Sequence, residues 1–160
     1  MVFTGTYPHT IDAKQRLAIP AELRATLRER CQVRDDEPLY VYATPAEGRC
    51  LALYAVPDFE EQARTLRDSE ADFDSPELFE FALRMFANSR RLELDRQGRV
   101  RLPDQLLKLR QIGGEVVVVG NNDRIEVHNR EDWDRFMARS LEDDGDMMLK
   151  FRRAMRKRRD

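Results

Sequence analysis

A nine-residue pattern that occurs twice constrains the possible folds of this chain more than any other feature. Residues 12–20 and 95–103 both read Asp, three residues, Arg, apolar, any residue, apolar, Pro. The aspartates, the arginines and the prolines of the two copies are each separated by 83 residues. A repeat of this kind indicates a duplicated supersecondary unit, so we expect two equivalent halves that share one core.

Matches continue beyond the motif at a different spacing. Four further pairs lie 74 residues apart: Leu51 and Ile125, Leu53 and Val127, Asp58 and Asp132, Phe59 and Trp133. The second copy is therefore 9 residues shorter than the first. We expect the missing residues in connecting loops, because loops tolerate insertions and deletions best.

Length and cysteine content favour a cytoplasmic protein. With 160 residues the chain can bury a core of its own, and no apolar run approaches the roughly 20 residues that cross a bilayer. Residues 1–5 lack the basic and apolar regions of a signal peptide. Cys31 and Cys50 have no metal-type spacing, so we expect reduced thiols, no metal and no cofactor.

The net charge of −2 hides a strong partition of charge along the chain. Segments 1–34, 88–110 and 150–160 are basic, while segments 35–80 and 111–149 are acidic. Both copies of the motif lie in basic segments. Because a polyanion responds to the local field and not to the total charge, nucleic acid is a possible partner despite the negative total.

The first half is predicted to contain four strands and two helices. Alternation and composition predict strands over 3–11, 16–19, 39–42 and 50–54. The residues 12–15 form a turn. Pro20 suits the first position of a helix that buries Leu23 and Leu27. Pro57 opens a second helix with an apolar face of Phe59, Ala63 and Leu66.

The second half repeats this order. Strands are predicted over 90–94, 100–102, 116–119 and 125–128, with a hairpin turn at 121–123. Pro103 starts a helix that Gly113 and Gly114 end, and a last helix lies around Trp133. The predicted organisation is a first repeat at 1–74, a linking helix at 75–89, a second repeat at 90–141 and a C-terminal extension at 142–160.

The linking helix and the tail carry separate predictions. Ser75 and Pro76 are typical of a helix start, and Phe79, Leu83 and Phe86 follow at helical spacing. We expect this stripe to pack as core against both halves, without a ligand. The arginine-rich segment 150–159 is expected to be a frayed helix or a disordered arm. It either contacts phosphates or neutralises acidic segments of a neighbouring subunit.

Two interpretations of the repeated motif stay open from spacing alone. Asp12 and Asp95 can accept hydrogen bonds from the next backbone N–H groups and so fix a tight turn, and Gly98 supplies the positive φ that such a turn commonly needs. Arg16 and Arg99 then form either an ion pair across the hairpin or a guanidinium presented to phosphate or guanine. The basic residues nearby favour the second interpretation.

These residues resemble a known family. The run from Phe3 to Arg24, FTGTYPHTIDAKQRLAIPAELR, is closely similar to the start of MraZ proteins, and 84–103 resembles the opening of their second half. The resemblance covers roughly residues 1–140. It implies an α+β, internally duplicated, swapped-hairpin AbrB-like β-barrel with flanking helices. It also implies a bacterial DNA-binding regulator of the division and cell-wall gene cluster.

The family's properties define the expected partners and site. The resemblance implies double-stranded DNA with short direct promoter repeats, usually with repression of the family's own operon, and ring-like homo-oligomers of the octamer or dodecamer type. The expected DNA-binding residues are Lys14, Arg16, Arg96, Arg99 and Arg101. The expected turn-structuring residues are Asp12, Asp95 and Gly98. Gln15 stands where the family usually has Gly, so we expect the first turn to differ from the second.

Two other classes of function compete with a regulator. A protein-interaction module or antitoxin of AbrB type would use the acidic segment 35–80 to hold a basic partner, although most such chains carry a single motif. An enzyme is disfavoured, since His9 and His128 have no nearby Ser or Cys in a suggestive arrangement. The acidic pairs lie on predicted surface segments, and we assign no catalytic residue.

Overall fold

The computed structural model describes residues 1–69 and 75–159, and it shows an α+β protein as the sequence predicts. The chain divides into two compact units, Met1–Asn129 and Arg130–Asp160. The first unit holds the strands and the repeated motif, and the second holds two helices. Within the described ranges, no helix is long and apolar enough to cross a membrane.

The secondary structure elements follow the predicted order. The strands are β1 (Thr6–Thr10), β2 (Arg16–Ala18), β3 (Tyr40–Pro45), β4 (Leu51–Ala55), β5 (Arg90–Glu93), β6 (Arg99–Arg101), β7 (Glu115–Asn121) and β8 (Arg124–Asn129). The helices are α1 (Ala21–Cys31), α2 (Val56–Asp68), α3 (Pro76–Ala87), α4 (Asp104–Arg110), α5 (Arg130–Glu142) and α6 (Asp144–Lys157).

The two halves exchange strands. The main sheet is antiparallel with the order β1-β7-β8-β4-β3-β5, so β1 of the first half pairs with β7 of the second, and β5 of the second half pairs with β3 of the first. A separate ladder joins β2 to β6, again one strand from each half. This exchange is the swapped-hairpin arrangement that the family resemblance implies. Closure of the two sheets into one barrel stays a prediction.

The strand register shows an approximate two-fold relation between the halves. In the central β4–β8 ladder, Leu51 lies opposite Val127 and Leu53 lies opposite Ile125. The repeat makes Leu51 equivalent to Ile125 and Leu53 equivalent to Val127, so a two-fold exchange of the halves converts one of these pairs into the other. In the β2–β6 ladder, Leu17 lies opposite Val100, its own equivalent. The duplication seen in the sequence is therefore a structural symmetry.

Each half contributes residues of its first helix to one apolar core. Leu23 and Leu27 of α1 are buried, as are Leu106 and Leu107 of α4. The core also takes the inward side chains of the central strands. The prolines differ from the prediction by one residue, because Pro20 and Pro103 occupy the N-cap and not the first helical position. Their extended ψ angles of 142° and 138° let the chain turn from strand into helix.

The second copy is shortened in a helix as well as in loops. The first helix of the first half, α1, has 11 residues, whereas α4 has 7. The prediction that the missing residues lie only in loops is therefore wrong. Both helices end on a glutamine in the left-handed region, Gln32 at φ 56° and Gln111 at φ 55°. The end of the helix thus keeps its geometry while the helix loses a turn.

The linking helix α3 forms as predicted, but the prediction that its apolar stripe is core is wrong. No residue of α3 is buried, and Phe79 and Leu83 are 68% and 59% exposed. Contacts with the rest of the unit lie near its C-terminal end, where the Phe86 ring meets Phe59 edge to face at 6.0 Å. Asn88, just past the helix, accepts a hydrogen bond from Gln105. Helical spacing predicted the stripe but not its burial, which depends on what lies beside it.

The second unit consists of α5 and α6. In α5 the rings of Trp133 and Phe136 lie 5.3 Å apart. Of the two alternatives for the tail at 150–159, the structure shows a helix, because residues 150–157 belong to the 14-residue helix α6. Met148, Phe151 and Met155 of this helix are all exposed.

One carboxylate is buried in the main sheet, and its neighbours compensate its charge. Glu126 is only 9% exposed. The hydrogen bond from His128, together with the one from Asn121 and the charge of Arg124, lowers the pKa of Glu126 to about 2. Burial raises the pKa of the nearby Cys50 thiol to about 11. Both cysteines are free, as the sequence predicts.

Candidate nucleic-acid interface

The two motif turns have the same hydrogen-bond pattern. In the first turn, Oδ1 of Asp12 accepts from the N–H groups of Lys14 and Arg16, both at 2.9 Å. In the second, Oδ1 of Asp95 accepts from the N–H groups of Gln97 at 2.9 Å and Arg99 at 3.0 Å. The other carboxylate oxygen, Oδ2, accepts a hydrogen bond from Nε of the arginine in each turn, at 2.7 Å in the first and 3.0 Å in the second. Each aspartate therefore fixes both the turn and the arginine.

The expectation that Gln15 changes the first turn is wrong. Gln15 adopts φ 63°, close to the φ of 76° at Gly98. The Gln15 N–H donates to the Asp12 carbonyl at 2.9 Å, as the Gly98 N–H donates to the Asp95 carbonyl at 3.0 Å. A left-handed glutamine costs on the order of 1 kcal/mol. Its side chain donates to the Asp104 carboxylate of the other half, a contact that helps to offset this cost.

The second turn is tied to the opposite half in another way. The Arg24 side chain of α1 lies against Gly98, where a Cβ atom would be 2.6 Å from Cζ of Arg24. Nη1 of Arg24 donates to the Ile19 carbonyl at 2.6 Å. Arg24 is not among the residues that the motif predicts. The repeat has Leu107 at the position equivalent to Arg24. This difference between the two copies was the one sequence signal that could have indicated a role for Arg24.

Hydrogen bonds and the paired charge lower the pKa of both aspartates. The largest cause for Asp12 is the backbone N–H of Arg16, and the largest for Asp95 is that of Arg99. The guanidinium of the same arginine adds to the effect. At neutral pH both carboxylates are therefore ionised and hold their arginines. The ion pair that the sequence left as one of two interpretations is present in both copies.

The β2–β6 ladder gathers the predicted arginines on one face. Leu17 lies opposite Val100, and both are fully buried. Side chains alternate along a strand, so Arg16, Arg99 and Arg101 all point to the other face. Arg16 lies directly opposite Arg101. Like charges in such a position repel each other, so an anionic partner would stabilise this arrangement.

The remaining predicted cations belong to the turns that flank the ladder. Lys14 and Arg96 occupy the same two turns as the aspartates, and both are exposed. The structure thus places the five predicted cations on one ladder and its two turns, which we call the cationic face: Lys14, Arg16, Arg96, Arg99 and Arg101. Among the described residues, Arg16 and Arg99 each form their carboxylate ion pair through Nε. Their amino groups are therefore not committed to that ion pair.

The fold and this face together define a class. The chain is a duplicated swapped-hairpin protein whose two motif turns present a paired cationic surface. It belongs to the MraZ family, whose description calls the family antitoxin-like and whose sequence model matches residues 2–78 and 85–152.

Individual relatives agree with this assignment. The chain is 34% identical over 145 residues to "Transcriptional regulator MraZ" of Desulfitobacterium hafniense strain DCB-2, covering 89% of this chain and 90% of the relative. It is 35% identical over 137 residues to the protein of that name in Moorella thermoacetica, covering 84% and 86%. It is 31% identical over 139 residues to the one in Desulforamulus reducens, covering 87% and 89%.

Proposed function

We propose that this protein is a DNA-binding transcriptional regulator that contacts double-stranded DNA through the cationic face. One observation carries the proposal: the β2–β6 register sets Arg16 opposite Arg101 and puts Arg99 on the same side, above a fully buried Leu17–Val100 pair. A bound polyanion offsets the repulsion between opposed arginines on a rigid ladder better than water does. The relatives named as transcriptional regulators support the same function.

The residues of the face divide into two roles. Arg16 and Arg99 are oriented by their aspartates, so their amino groups can approach O6 and N7 of guanine in the major groove. Lys14, Arg96 and Arg101 bind phosphates and set the register of the protein on the duplex. The protein is not an enzyme and uses no cofactor in this function.

The finer features follow from the family resemblance. The regulator acts in the cytoplasm, in association with the nucleoid, and represses its own division and cell-wall gene cluster at short direct repeats upstream of the promoter. Each chain offers two motif turns, which read few bases. A ring-like homo-oligomer of the octamer or dodecamer type gains affinity on tandem repeats because linked subunits raise the effective concentration. The exposed apolar stripe of α3 supports self-association.

The test of this function uses the two arginines that the aspartates hold. Fluorescence anisotropy with promoter DNA from the protein's own operon, at a stated salt concentration, measures affinity. The double variant Arg16→Ala, Arg99→Ala should weaken binding by about 1–3 kcal/mol for each guanine that is no longer contacted. Arg64→Ala is the matched control, because Arg64 is an exposed arginine of α2 away from the ladder. If the double variant bound the promoter as wild type does, the assignment of the site would be wrong.

The alternative function is an antitoxin-like interaction module, which the description of the family favours. In it the acidic segment 35–80 would hold a basic partner protein. The duplicated motif argues for DNA, because it doubles the cationic turns without adding to the acidic segment. A toxin gene beside this one would support the alternative. Absence of promoter binding by the wild-type protein would support it further.

A further inference from the structure

Three metal-ligating side chains of different chemistry meet in the main sheet, away from the cationic face. A sulfur of Cys50, a carboxylate oxygen of Glu126 and a ring nitrogen of His128 all lie within 4.8 Å of one another. Oε1 of Glu126 is 2.9 Å from Nε2 of His128 and 3.8 Å from Sγ of Cys50. Cys50 and Glu126 are 4% and 9% exposed, and His128 is half-buried.

The central ladder explains why these residues meet. Leu51 and Val127 are opposed and both point into the core. Cys50 precedes Leu51 and His128 follows Val127, so alternation puts both on the other face of the sheet, next to each other across the strands. Glu126 lies two residues before His128 and shares that face. Cys50 is 76 residues from Glu126 along the chain, which is why sequence spacing did not indicate the cluster.

Other contacts hold the carboxylate in a fixed orientation. Nδ2 of Asn121 and Nε of Arg124 both donate to Oε2 of Glu126, at 2.7 Å and 2.9 Å. Oε1 is the oxygen that faces the thiol and the imidazole. Outer partners of this kind commonly orient the ligands of a metal site.

We propose that Cys50, Glu126 and His128 bind one divalent transition-metal ion of the zinc type, with a fourth position open to water. Thiolate, carboxylate and imidazole are the three ligand types that zinc takes in proteins. Zinc–ligand bonds of about 2.0–2.3 Å separate the ligand atoms of a tetrahedral site by roughly 3.3–3.8 Å. The atoms of this cluster reach such separations by small side-chain rotations.

The repeat makes the proposed site single in each chain. The positions equivalent to Cys50, Glu126 and His128 in the other half are held by Arg124, Ala52 and Tyr54, none of which completes a second cluster. The ion would join β4 of the first half to β8 of the second. It would therefore clamp the two halves across the axis of the duplication, independently of DNA binding.

Cobalt(II) provides a direct test on the full-length protein. The metal-depleted protein, kept reduced, is titrated with Co²⁺ alone, and a thiolate-to-cobalt charge-transfer band is measured. We expect the band to saturate at one ion per chain and to disappear when Zn²⁺ is added, because zinc binds such sites more tightly. Cys50→Ser should lose the band, whereas Cys31→Ser, which removes the other free thiol, should keep it.

The outer contacts give a second, independent readout. Asn121→Ala should weaken Zn²⁺ binding about ten- to a hundredfold, because it releases the oriented carboxylate. Circular dichroism of each metal-free variant checks folding, and if Cys50→Ser does not fold, His128→Gln and Glu126→Gln replace it with affinity as the readout. A band that is absent in wild type, that persists in Cys50→Ser or that is lost in Cys31→Ser would overturn the proposal. Zinc affinity unchanged in His128→Gln and Glu126→Gln would overturn it as well.

Discussion

At the scale of single residues, the two motif turns show how a small difference in sequence can leave the geometry unchanged. Gln15 and Gly98 occupy the same left-handed position, and the aspartate before each accepts the same pair of backbone N–H groups. The turn is set by those hydrogen bonds more than by the residue in the strained position. Glycine is therefore helpful but not required at Gln15, where the contact with Asp104 adds support.

The first prediction concerns pH. The pKa values of Asp12 and Asp95 are lowered in the folded state by the backbone N–H groups and guanidiniums of Arg16 and Arg99. A group with a depressed pKa stabilises the fold above its unfolded pKa of about 3.9, and this contribution disappears as the pH falls through the folded value. Asp12→Asn with Asp95→Asn should therefore reduce the loss of stability below about pH 4. Urea unfolding at a series of pH values measures it.

The control for that prediction is Asp36→Asn, which changes an exposed aspartate outside both turns. It should leave the pH dependence of the wild-type protein intact. An identical pH profile for the double variant and the wild type would contradict the role assigned to the two carboxylates.

The second prediction concerns Gly98. Alanine there has to adopt φ near 76° and to displace the Arg24 side chain, which then loses its bond to the Ile19 carbonyl. Gly48→Ala is the matched control: Gly48 has a similar φ of 71°, but no atom of the described residues lies within 4 Å of the added methyl group. Both variants should lose about 1–2 kcal/mol from backbone strain. Gly98→Ala should lose about 1 kcal/mol more. An equal loss of unfolding free energy in Gly98→Ala and Gly48→Ala, measured by chemical denaturation, would show that Arg24 adjusts without cost.

At the scale of elements, the helical pattern in the sequence predicts where a helix forms but not whether its apolar face is buried. Ser75 and Pro76 correctly predicted where α3 begins, because the φ of proline is a local effect, although the Ser75 side chain makes no capping hydrogen bond. The same periodicity did not predict that Phe79 and Leu83 would be exposed. An apolar stripe indicates only that burial of that surface is favourable. An exposed stripe of this kind is typical of an interaction surface.

The third prediction follows from that stripe. Phe79→Ser with Leu83→Ser should lower the mass of the assembly in light scattering, since the change removes apolar area that a second copy would cover. The melting temperature of the isolated chain should change little, because both side chains are already exposed. Glu80→Gln on the same helix is the control and should keep the wild-type mass. A double variant with the wild-type mass would locate the subunit interface elsewhere.

At the scale of the whole molecule, the distribution of charge does not follow the two-fold relation between the halves. The two halves are equivalent in register and in the motif turns, and both contribute to one core. The charge is not equivalent, because the basic segment 150–160 has no counterpart after the first half. It lies in the second unit, largely within the exposed helix α6.

The fourth prediction concerns this helix. Arg152→Gln, Arg153→Gln and Arg156→Gln together should reduce the salt dependence of DNA binding, by about one unit of slope for each phosphate that the helix no longer neutralises. The substitutions keep the helix, so a change in slope reports charge and not folding. Arg64→Gln is the control. An unchanged slope with a smaller assembly would instead show that the tail neutralises acidic segments of a neighbouring subunit.

The amino-acid sequence was sufficient to predict the duplication, the order of strands and helices and the tight turns, and it gave the aspartate–arginine ion pairs as one of two interpretations. These features depend on residues that are close along the chain, whose hydrogen bonds and backbone preferences act locally. The family resemblance indicated the exchange of strands between the halves.

Which distant residues meet depends on the tertiary structure. The β2–β6 register brought Arg16 opposite Arg101, although 85 positions separate them. The central ladder brought Cys50 to Glu126, and the packing of the unit left the α3 stripe uncovered. Strand register is fixed by the burial of a whole face at once, and local sequence does not carry that information.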